Sequence, residues 1–244
     1  MECARLNRYG LLSVSGDDAR EFLHAQLTVD VRNLPRERAA LAGWCSAKGR
    51  LLATFLVIPA PQGFLLQLAR DLAPAVAKRL PMFVLRAKVK IADESERWAQ
   101  FGVWDADGNP NVAWDNGRGS VPVGERRFLR LEPAAAPSLA PTADEEAWTL
   151  LEIRAGRPLI TAATQDQFVP QMVNLEKLGA VDFQKGCYPG QEIVARAQYR
   201  GEVKRRMVRL QAPGQAGLRP GQEYNGGVVV DSAGGELLAV MPTT

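Results

Sequence analysis

One short stretch of the sequence combines residue types that could do chemistry. It reads "KGCYPGQE" and covers residues 185–192, with Cys187 between two glycines. A thiol near a lysine and just before a helix N-terminus ionises more easily, because the ammonium and the helix dipole both favour negative charge. Cys187 with Lys185 is therefore a candidate reactive site, and a packed, inert cysteine in a tight turn is the alternative.

The residues that follow Cys187 could hold a flat ligand. Gly190 permits a close approach of the main chain, which a side chain would obstruct. Gln191 and Glu192 offer an amide and a carboxylate to the donor-rich edge of a heterocycle. Arg200 could pair with an acidic group of the same ligand, or it could belong to a solvated basic surface.

Local signals predict the elements that position this stretch. The segment "AVDFQ", residues 180–184, is typical of a strand. Pro189 suits the first position of a helix, where its missing N–H would have no partner, so residues 189–199 are predicted to be helical. The expected order is strand, turn and helix, with Cys187 in the turn.

The rest of the chain predicts a mixture of strands and helices. The Pro/Ala-rich segment 132–143 indicates an extended connection between two parts. His24, the one histidine, is interpreted as a partly buried helix residue. Apolar patterns predict strands at 9–14, 51–58, 63–69, 83–91 and 99–104 and in three runs beyond residue 201, and helices at 15–27, 71–80, 144–156 and 171–179.

Composition excludes several classes of protein. Hydrophobic residues make up 46% and charged residues 23%, as in ordinary globular proteins. Three widely spaced cysteines and one histidine argue against a disulfide framework, a metal cluster or a histidine-based triad. The longest apolar run is too short for a membrane span, and the N-terminus lacks a secretory pattern, so we expect a cytoplasmic protein.

The segment "FVPQMVNLEKLGAVDFQKGCYPGQEIVARAQYRG", residues 168–201, closely resembles the signature of the YgfZ folate-binding family. These proteins are relatives of the glycine-cleavage T protein, an aminomethyltransferase. Three other segments resemble that family in the same order: "FLHAQLTVDV", "WCSAKGRLLATFLV" and "LLEIRAGRPLI". The resemblance covers most of the chain up to about residue 201, although the T protein's own methylene-transfer residues are not evident.

The resemblance implies an α+β fold with mixed or antiparallel sheets around a central folate-binding cavity. It further implies a T-protein-like region over residues 1–200, subdivided near 132–143. A short, reduced C-terminal β-barrel-like module is expected over residues 201–244.

By the same resemblance, the chain is expected to bind tetrahydrofolate or a one-carbon derivative. Its partners would be iron-sulfur client or assembly proteins, and the effect on tRNA modification would be indirect. No resident metal, membrane contact or direct nucleic-acid binding is expected. Catalytic roles fall to Cys187 and Lys185, and the expected folate-binding residues are Gln26, Asp30, Lys48, Arg50, Tyr188, Gly190, Gln191, Glu192 and Arg200.

Two other functions stay open on the sequence. A folate-dependent one-carbon transferase or demethylase acting on a small amine would need an acid or base, and Asp30, Asp166 or Glu192 could serve. An RNA-binding module could use the basic run "KRRMVR", residues 204–209, with the net charge of +3. Sparse aromatic residues near that run rank the RNA-binding module last.

Overall fold

The computed structural model describes residues 1–201, 203–214 and 217–243. The described residues have an α+β fold, as predicted, with three antiparallel sheets. The chain forms two compact units, each assembled from separate stretches. The first unit comprises Met1–Leu23, Val31–Ala40 and Leu56–Glu145, and the second comprises His24–Asp30, Leu41–Phe55 and Glu146–Thr244.

The helices in these residues are α1 (Ala19–Gln26), α2 (Ala73–Arg79), α3 (Glu145–Arg154) and α4 (Gln191–Tyr199), with 3-10 turns at Leu80–Phe83 and Pro170–Val173. The strands are β1 (Glu2–Arg5), β2 (Tyr9–Ser15), β3 (Ala40–Cys45), β4 (Leu51–Ala60), β5 (Gly63–Ala69), β6 (Lys90–Asp93), β7 (Trp98–Trp104), β8 (Ala113–Asp115), β9 (Arg118–Gly124), β10 (Arg127–Pro133), β11 (Arg205–Gln211), β12 (Glu223–Tyr224), β13 (Gly227–Ala233) and β14 (Glu236–Pro242).

The first unit is built from antiparallel strands. In one sheet, β5 pairs with β2 and with residues 56–60 of β4, and β2 also pairs with β6. The other sheet has the order β1-β7-β10-β9-β8. Gly63 closes the β4–β5 hairpin at a φ of +127°, and a Cβ there would lie 2.3 Å from the carbonyl oxygen of Val14. Only glycine fits that turn.

The second unit combines helices with a C-terminal sheet. Strand β3 lies beside β4, and the C-terminal strands have the order β11-β14-β13-β12. Val229, Leu237 and Ala239 form the buried core of the C-terminal sheet. The three strands predicted beyond residue 201 are confirmed as β11, β13 and β14.

Two predicted strands are wrong in part or in whole. Residues 84–89 form no strand, and only Lys90–Asp93 pairs with β2. Residues 180–184 also form no strand: the Asp182 carboxylate accepts the backbone N–H groups of Gln184 (2.7 Å) and Lys185 (3.1 Å). A side chain that takes up neighbouring N–H groups turns the chain and ends an extended run.

Two helix predictions are also corrected. The helix predicted over 171–179 is only the 3-10 turn Pro170–Val173, since Asn174 adopts a left-handed φ of 59°. The helix predicted from Pro189 begins at Gln191 instead. Gly190 is its N-cap at a φ of +78°, a conformation that cannot continue a helix, so Pro189 lies outside it.

The predicted domain boundary at residues 200 and 201 stays a prediction, and so does the central cavity. Within the predicted C-terminal module, residues 202, 215, 216 and 244 lie outside the described residues. Between β10 and α3, the predicted extended connection contains no helix or strand over residues 134–142. Among the residues described, no helix has the length and apolar character needed to cross a membrane.

Candidate functional site

Lys185 fastens the cysteine-bearing turn to the end of α1. Its buried ammonium donates to the carbonyl oxygens of His24 at 2.6 Å and Leu27 at 3.0 Å. Carbonyl groups at a helix C-terminus lack intrahelical partners and carry partial negative charge, so a cation there is stabilising. The same ammonium lies 4.7 Å from the centre of the Tyr188 ring. The geometry gives Lys185 a positioning role, and its catalytic role stays a prediction.

A histidine–carboxylate pair lies at the same end of α1. His24 is buried, and its Nδ1 lies 2.9 Å from Oδ1 of Asp30. The other ring nitrogen of His24 faces the turn: a Cβ added at Gly186 would be 3.6 Å from Nε2. His24 was predicted only to be a partly buried helix residue, because nothing local marks a single histidine as part of a site.

Two glycines bring the 46–50 segment against the start of α4. A Cβ on Gly190 would lie 2.4 Å from the carbonyl oxygen of Ser46 and 2.6 Å from the Cα of Gly49. Gly49 also has a left-handed φ of +68°, and a Cβ there would lie 2.8 Å from the Cβ of Ile193. The two main chains therefore touch directly, which explains why Gly190 stands where a side chain would separate them.

A fourth segment, residues 165–168, joins the same assembly. Ser46 donates its hydroxyl to Oδ1 of Asp166 at 3.0 Å, and Arg50 donates to the carbonyl oxygen of Gln167. The backbone N–H of Asp166 bonds the carbonyl oxygen of Leu51 at 2.8 Å. Asp166 itself has a left-handed φ of 59°. These bonds fix the position of its exposed carboxylate beside the 46–50 segment.

Two buried glutamine side chains each present an amide oxygen that has no hydrogen-bond partner among the described residues. Oε1 of Gln26 is one, at the end of α1, on a residue that is only 9% exposed. Oε1 of Gln171 is the other, and its Nε2 donates to the carbonyl oxygen of Val194 at 2.7 Å. A buried acceptor without a donor is costly, so each oxygen is a candidate contact for a ligand. Sequence reasoning missed Gln171, which gives no local signal.

The cysteines of this unit have opposite environments. Cys45 is buried at the end of β3, and burial raises the pKa of its thiol to about 12. Burial likewise raises the pKa of the Tyr188 phenol, with Cys45 and Asp182 adding to the shift. Cys187 is exposed. It is thus the accessible thiol of the motif, and Cys45 stays protonated at neutral pH.

All of the predicted site residues lie in the second unit, but the structure does not bring all of them together. Lys48 is exposed on the 46–50 segment, and Glu192 is exposed in the first turn of α4. Gln191 is half-buried at the start of that helix. Arg200 is the C-cap of α4, about 13 Å along the helix from Gln191. No hydrogen bond of its side chain joins Arg200 to the other segments within the described residues.

The arginines of the basic run at 204–209 have partners within the protein. Arg206 donates to Oε1 of Glu176 at 2.6 Å, and Arg205 donates to the carbonyl oxygen of Gly226 at 2.7 Å. Arg209 lies 3.7 Å from Glu236. Cations that are already paired contribute less to phosphate binding, so this run gives weak support to an RNA-binding module.

Comparisons with known proteins bear on the family and the fold. The chain is 33% identical over 239 residues to "tRNA-modifying protein YgfZ" of Serratia proteamaculans (strain 568), across 88% of this chain and 72% of that protein. Its fold is similar to glycine cleavage system aminomethyltransferase T from Bartonella henselae, with a TM-score of 0.74, 15% identity, and coverage of 99% and 78% of the two chains. No protein-family model matches the sequence. The predicted T-protein-like fold is confirmed.

Proposed function

The chain belongs to the YgfZ family, and from that premise we propose that it binds tetrahydrofolate or a one-carbon derivative. In this proposal the folate-bound protein supports assembly or repair of iron-sulfur clusters in client enzymes, and its effect on tRNA modification is indirect. Tetrahydrofolate supplies a carrier for one-carbon units when it is bound. The protein's own part is to bind the ligand, orient it and present a thiol beside it.

The buried Oε1 of Gln26 carries the proposal. It lacks a hydrogen-bond partner among the described residues, at the end of α1 that Lys185 fastens to the cysteine turn. The pterin ring of folate has an amine and a ring N–H on one edge, and both are donors. A buried acceptor facing such an edge recovers the hydrogen bond that it lacks. Gln171 offers a second acceptor of the same kind.

The exposed cations of the second unit suit the other end of folate. The glutamate tail carries carboxylates, which favour pairing with lysine and arginine. Lys48 and Arg50 lie on the segment that packs against Gly190, and Arg200 lies at the far end of α4. A tail that runs along α4 would pass from the first two cations toward the third.

Cys187 is a separate part of the proposal. Its thiol is exposed, and the turn that bears it is held by Lys185 and by the close contact at Gly190. A thiol presented in this way can contact a partner protein or its cluster transiently. A cluster bound stably within this chain would need more cysteines than are available here.

Calorimetry with tetrahydrofolate tests the binding claim. We expect heat of binding that folinic acid competes away, and Gln26→Leu should weaken affinity by about tenfold, since it removes one acceptor. Gln184→Leu is the matched control, because Gln184 is an exposed glutamine in the same unit. Absence of binding heat and of competition would refute folate binding.

Complementation in cells tests the role of Cys187. We expect Cys187→Ser to abolish complementation while the purified variant keeps its stability and its tetrahydrofolate affinity. Cys45→Ser separates this from a general need for thiols, since Cys45 is buried and protonated. Normal complementation by Cys187→Ser would reduce Cys187 to a packing residue.

A folate-dependent one-carbon transferase or demethylase is the second candidate. The pairing of His24 with Asp30 at 2.9 Å favours it, because such a pair can accept and release a proton. Transfer of isotope from labelled methylene-tetrahydrofolate to a small amine would support this activity. If the intact protein binds folate but transfers no isotope, this second candidate is refuted and the non-enzymatic role is favoured.

A further inference from the structure

The first unit contains a cleft to which neither the sequence motif nor the proposed function assigns a role. Its volume is about 530 Å³, which is large enough for a nucleotide-sized molecule. Every residue that lines it belongs to the first unit. Its lining includes the polar and aromatic side chains of Ser13, Lys90, Glu94, Arg97, Trp98 and Trp114.

Two tryptophans form a preformed aromatic wall in the cleft. Trp114 is fixed by its Nε1–H, which donates to the carbonyl oxygen of Pro59 at 2.9 Å. Its ring also packs on Gly119, where a Cβ would lie 2.9 Å from the ring atoms. Trp98 meets Trp114 edge to face, with ring centres 5.9 Å apart and an interplanar angle of 74°. Both tryptophans are half-buried residues, and both line the cleft.

One carboxylate and two cations accompany the tryptophans. The Glu94 side chain is only 14% exposed, and Oε2 of Glu94 lies 2.9 Å from Nη1 of Arg97. Oε1 of Glu94 accepts the Ser13 hydroxyl at 3.4 Å. Each carboxylate oxygen has two lone pairs, so each can accept one more hydrogen bond. Lys90 and Arg97 are exposed, and with Glu94 they give the lining a net charge of one positive unit.

We propose that this cleft binds a nucleotide. The base would stack on an open face of a tryptophan, as bases do on aromatic side chains. The phosphate would pair with Lys90 at the rim, and Arg97, which is paired with Glu94, would hold that carboxylate in place. A cationic ligand, which aromatic walls can also attract, fits less well, because Glu94 is already paired with Arg97 and the lining is net positive.

Glu94 selects guanine among the bases. A carboxylate binds two adjacent donors best, and guanine presents its ring N1–H beside its 2-amino group. Adenine and cytosine place a ring nitrogen acceptor beside the exocyclic amine, and that acceptor would face the carboxylate oxygens unfavourably. The ligand is therefore a guanine nucleotide, either free or as an exposed residue of a single RNA strand.

This site is independent of the proposed folate function. The two sites use different residues, which lie in different compact units. Failure of folate binding would leave the nucleotide proposal intact, and the reverse also holds. A pterin that bound this cleft instead of GMP would overturn the nucleotide assignment.

The test is a titration of the full chain with GMP. Binding is monitored through the NMR signals of the tryptophan indole N–H groups. We expect the signals of Trp98 and Trp114 to shift, and those of Trp44 and Trp148 in the other unit to stay in place. Guanosine, which lacks the phosphate, should bind several-fold more weakly. AMP and UMP should bind at least about tenfold more weakly, because a hydrogen-bonding site strongly rejects a ligand that leaves its groups unpaired.

Matched variants show which side chains of the cleft contribute to GMP affinity. Trp98→Leu should weaken GMP binding by about tenfold or more. Trp104→Leu, at the other end of the same strand, should change GMP affinity by less than about twofold. Lys90→Gln should weaken GMP binding by about threefold. Lys88→Gln should leave GMP affinity unchanged, because Lys88 pairs with Asp17 outside the cleft. Arg97→Gln tests the cleft without disturbing the fold, since the Arg97 side chain is 78% exposed.

A uridine decamer with one central guanine distinguishes a free guanine nucleotide from a guanine in an RNA strand. Binding at least tenfold tighter than GMP assigns an RNA strand, and equal affinity assigns a free nucleotide. The proposal is overturned if neither probe shifts the two indole signals at millimolar concentration. It is also overturned if Trp98→Leu and Arg97→Gln both bind GMP normally, and equal binding of AMP overturns the choice of guanine.

Discussion

The two units build their candidate sites in different ways. In the first unit, the tryptophan cleft is lined mainly by side chains of strands and hairpins, which the hydrogen-bond ladder holds in register. In the second unit, the folate candidate depends on turns and loops with left-handed residues, at Gly49, Asp166 and Gly190. A strand can exchange an outward side chain cheaply, but main-chain contact between loops tolerates almost no change. The second site should therefore be the more sensitive to small substitutions.

The largest effect should come from Gly190→Ala. The added Cβ would lie 2.4 Å from the Ser46 carbonyl oxygen, at a residue whose φ is +78°. Backbone strain and the clash together should lower the free energy of unfolding by about 4 kcal/mol. Denaturation by urea measures the change.

Gly179→Ala is the control for Gly190→Ala. Gly179 has nearly the same φ, +69°, but nothing lies within 4 Å of the added Cβ. Its cost should be only the backbone strain, about 1 kcal/mol. Equal destabilisation by both variants would show that the contact with the 46–50 segment contributes nothing.

Lys185→Met should have the next largest effect. The variant keeps most of the side-chain volume but leaves the carbonyl groups of His24 and Leu27 without this donor. Loss of these buried hydrogen bonds should lower the free energy of unfolding by about 2 kcal/mol. The exposed Lys177→Met should cost less than about 0.5 kcal/mol. Similar values for the two variants would contradict the positioning role of Lys185.

Alkaline pH should destabilise the protein partly through Cys45. Burial raises the pKa of its thiol from 9.0 to about 12, so between these values the unfolded chain loses a proton that the folded chain keeps. The unfolding free energy is unaffected by this thiol well below pH 9 and falls as pH rises through 9, by about 1.4 kcal/mol at pH 10.

The pH dependence of Cys45→Ala checks the effect of this thiol. The variant should lose less stability than the parent chain between pH 8 and pH 10, whatever its stability at pH 7. The raised pKa of Tyr188 adds a further loss above pH 10 in both proteins, so comparisons should stop there. Parallel pH profiles would show that Cys45 ionises normally.

The smallest effect should come from Gly119→Ala in the first unit. Its Cβ would lie 2.9 Å from the Trp114 ring, but β8 is a three-residue edge strand that can shift. We expect a loss below about 1 kcal/mol, with a displaced Trp114 indole signal. A loss as large as that of Gly190→Ala would remove the contrast between strand-built and loop-built sites.

Sequence patterns predicted the regular elements better than their connections. β4 and β5 were predicted because long apolar runs flank a turn that only glycine can make at Gly63. α3 was predicted from its acidic start and from Gly156, which ends it at a φ of +67°. The strands β1, β3, β8, β9, β10 and β12 went unpredicted. β1, β8 and β12 have four residues or fewer, and β9 contains glycine and proline, which are depleted in strands.

The candidate site was only partly predictable. The motif identified Cys187, and the family resemblance supplied Gln26 and Arg50, but no local pattern indicated that Lys185 bonds carbonyl groups of residues 24 and 27. The same holds for Gln171, whose importance lies in an oxygen without a donor. The bonds of Lys185 join residues that are 161 and 158 positions apart, which local spacing does not encode.

The Lys185 ammonium has a consequence for electrostatics. Backbone carbonyl oxygens have replaced its water shell, much as they replace that of a potassium ion in a channel filter. The motif thus contains a tethered, dehydrated cation whose field dissolved ions screen poorly, whereas the fields of Lys48 and Arg50 fade in salt. Part of the attraction for an anionic ligand should therefore persist at high ionic strength.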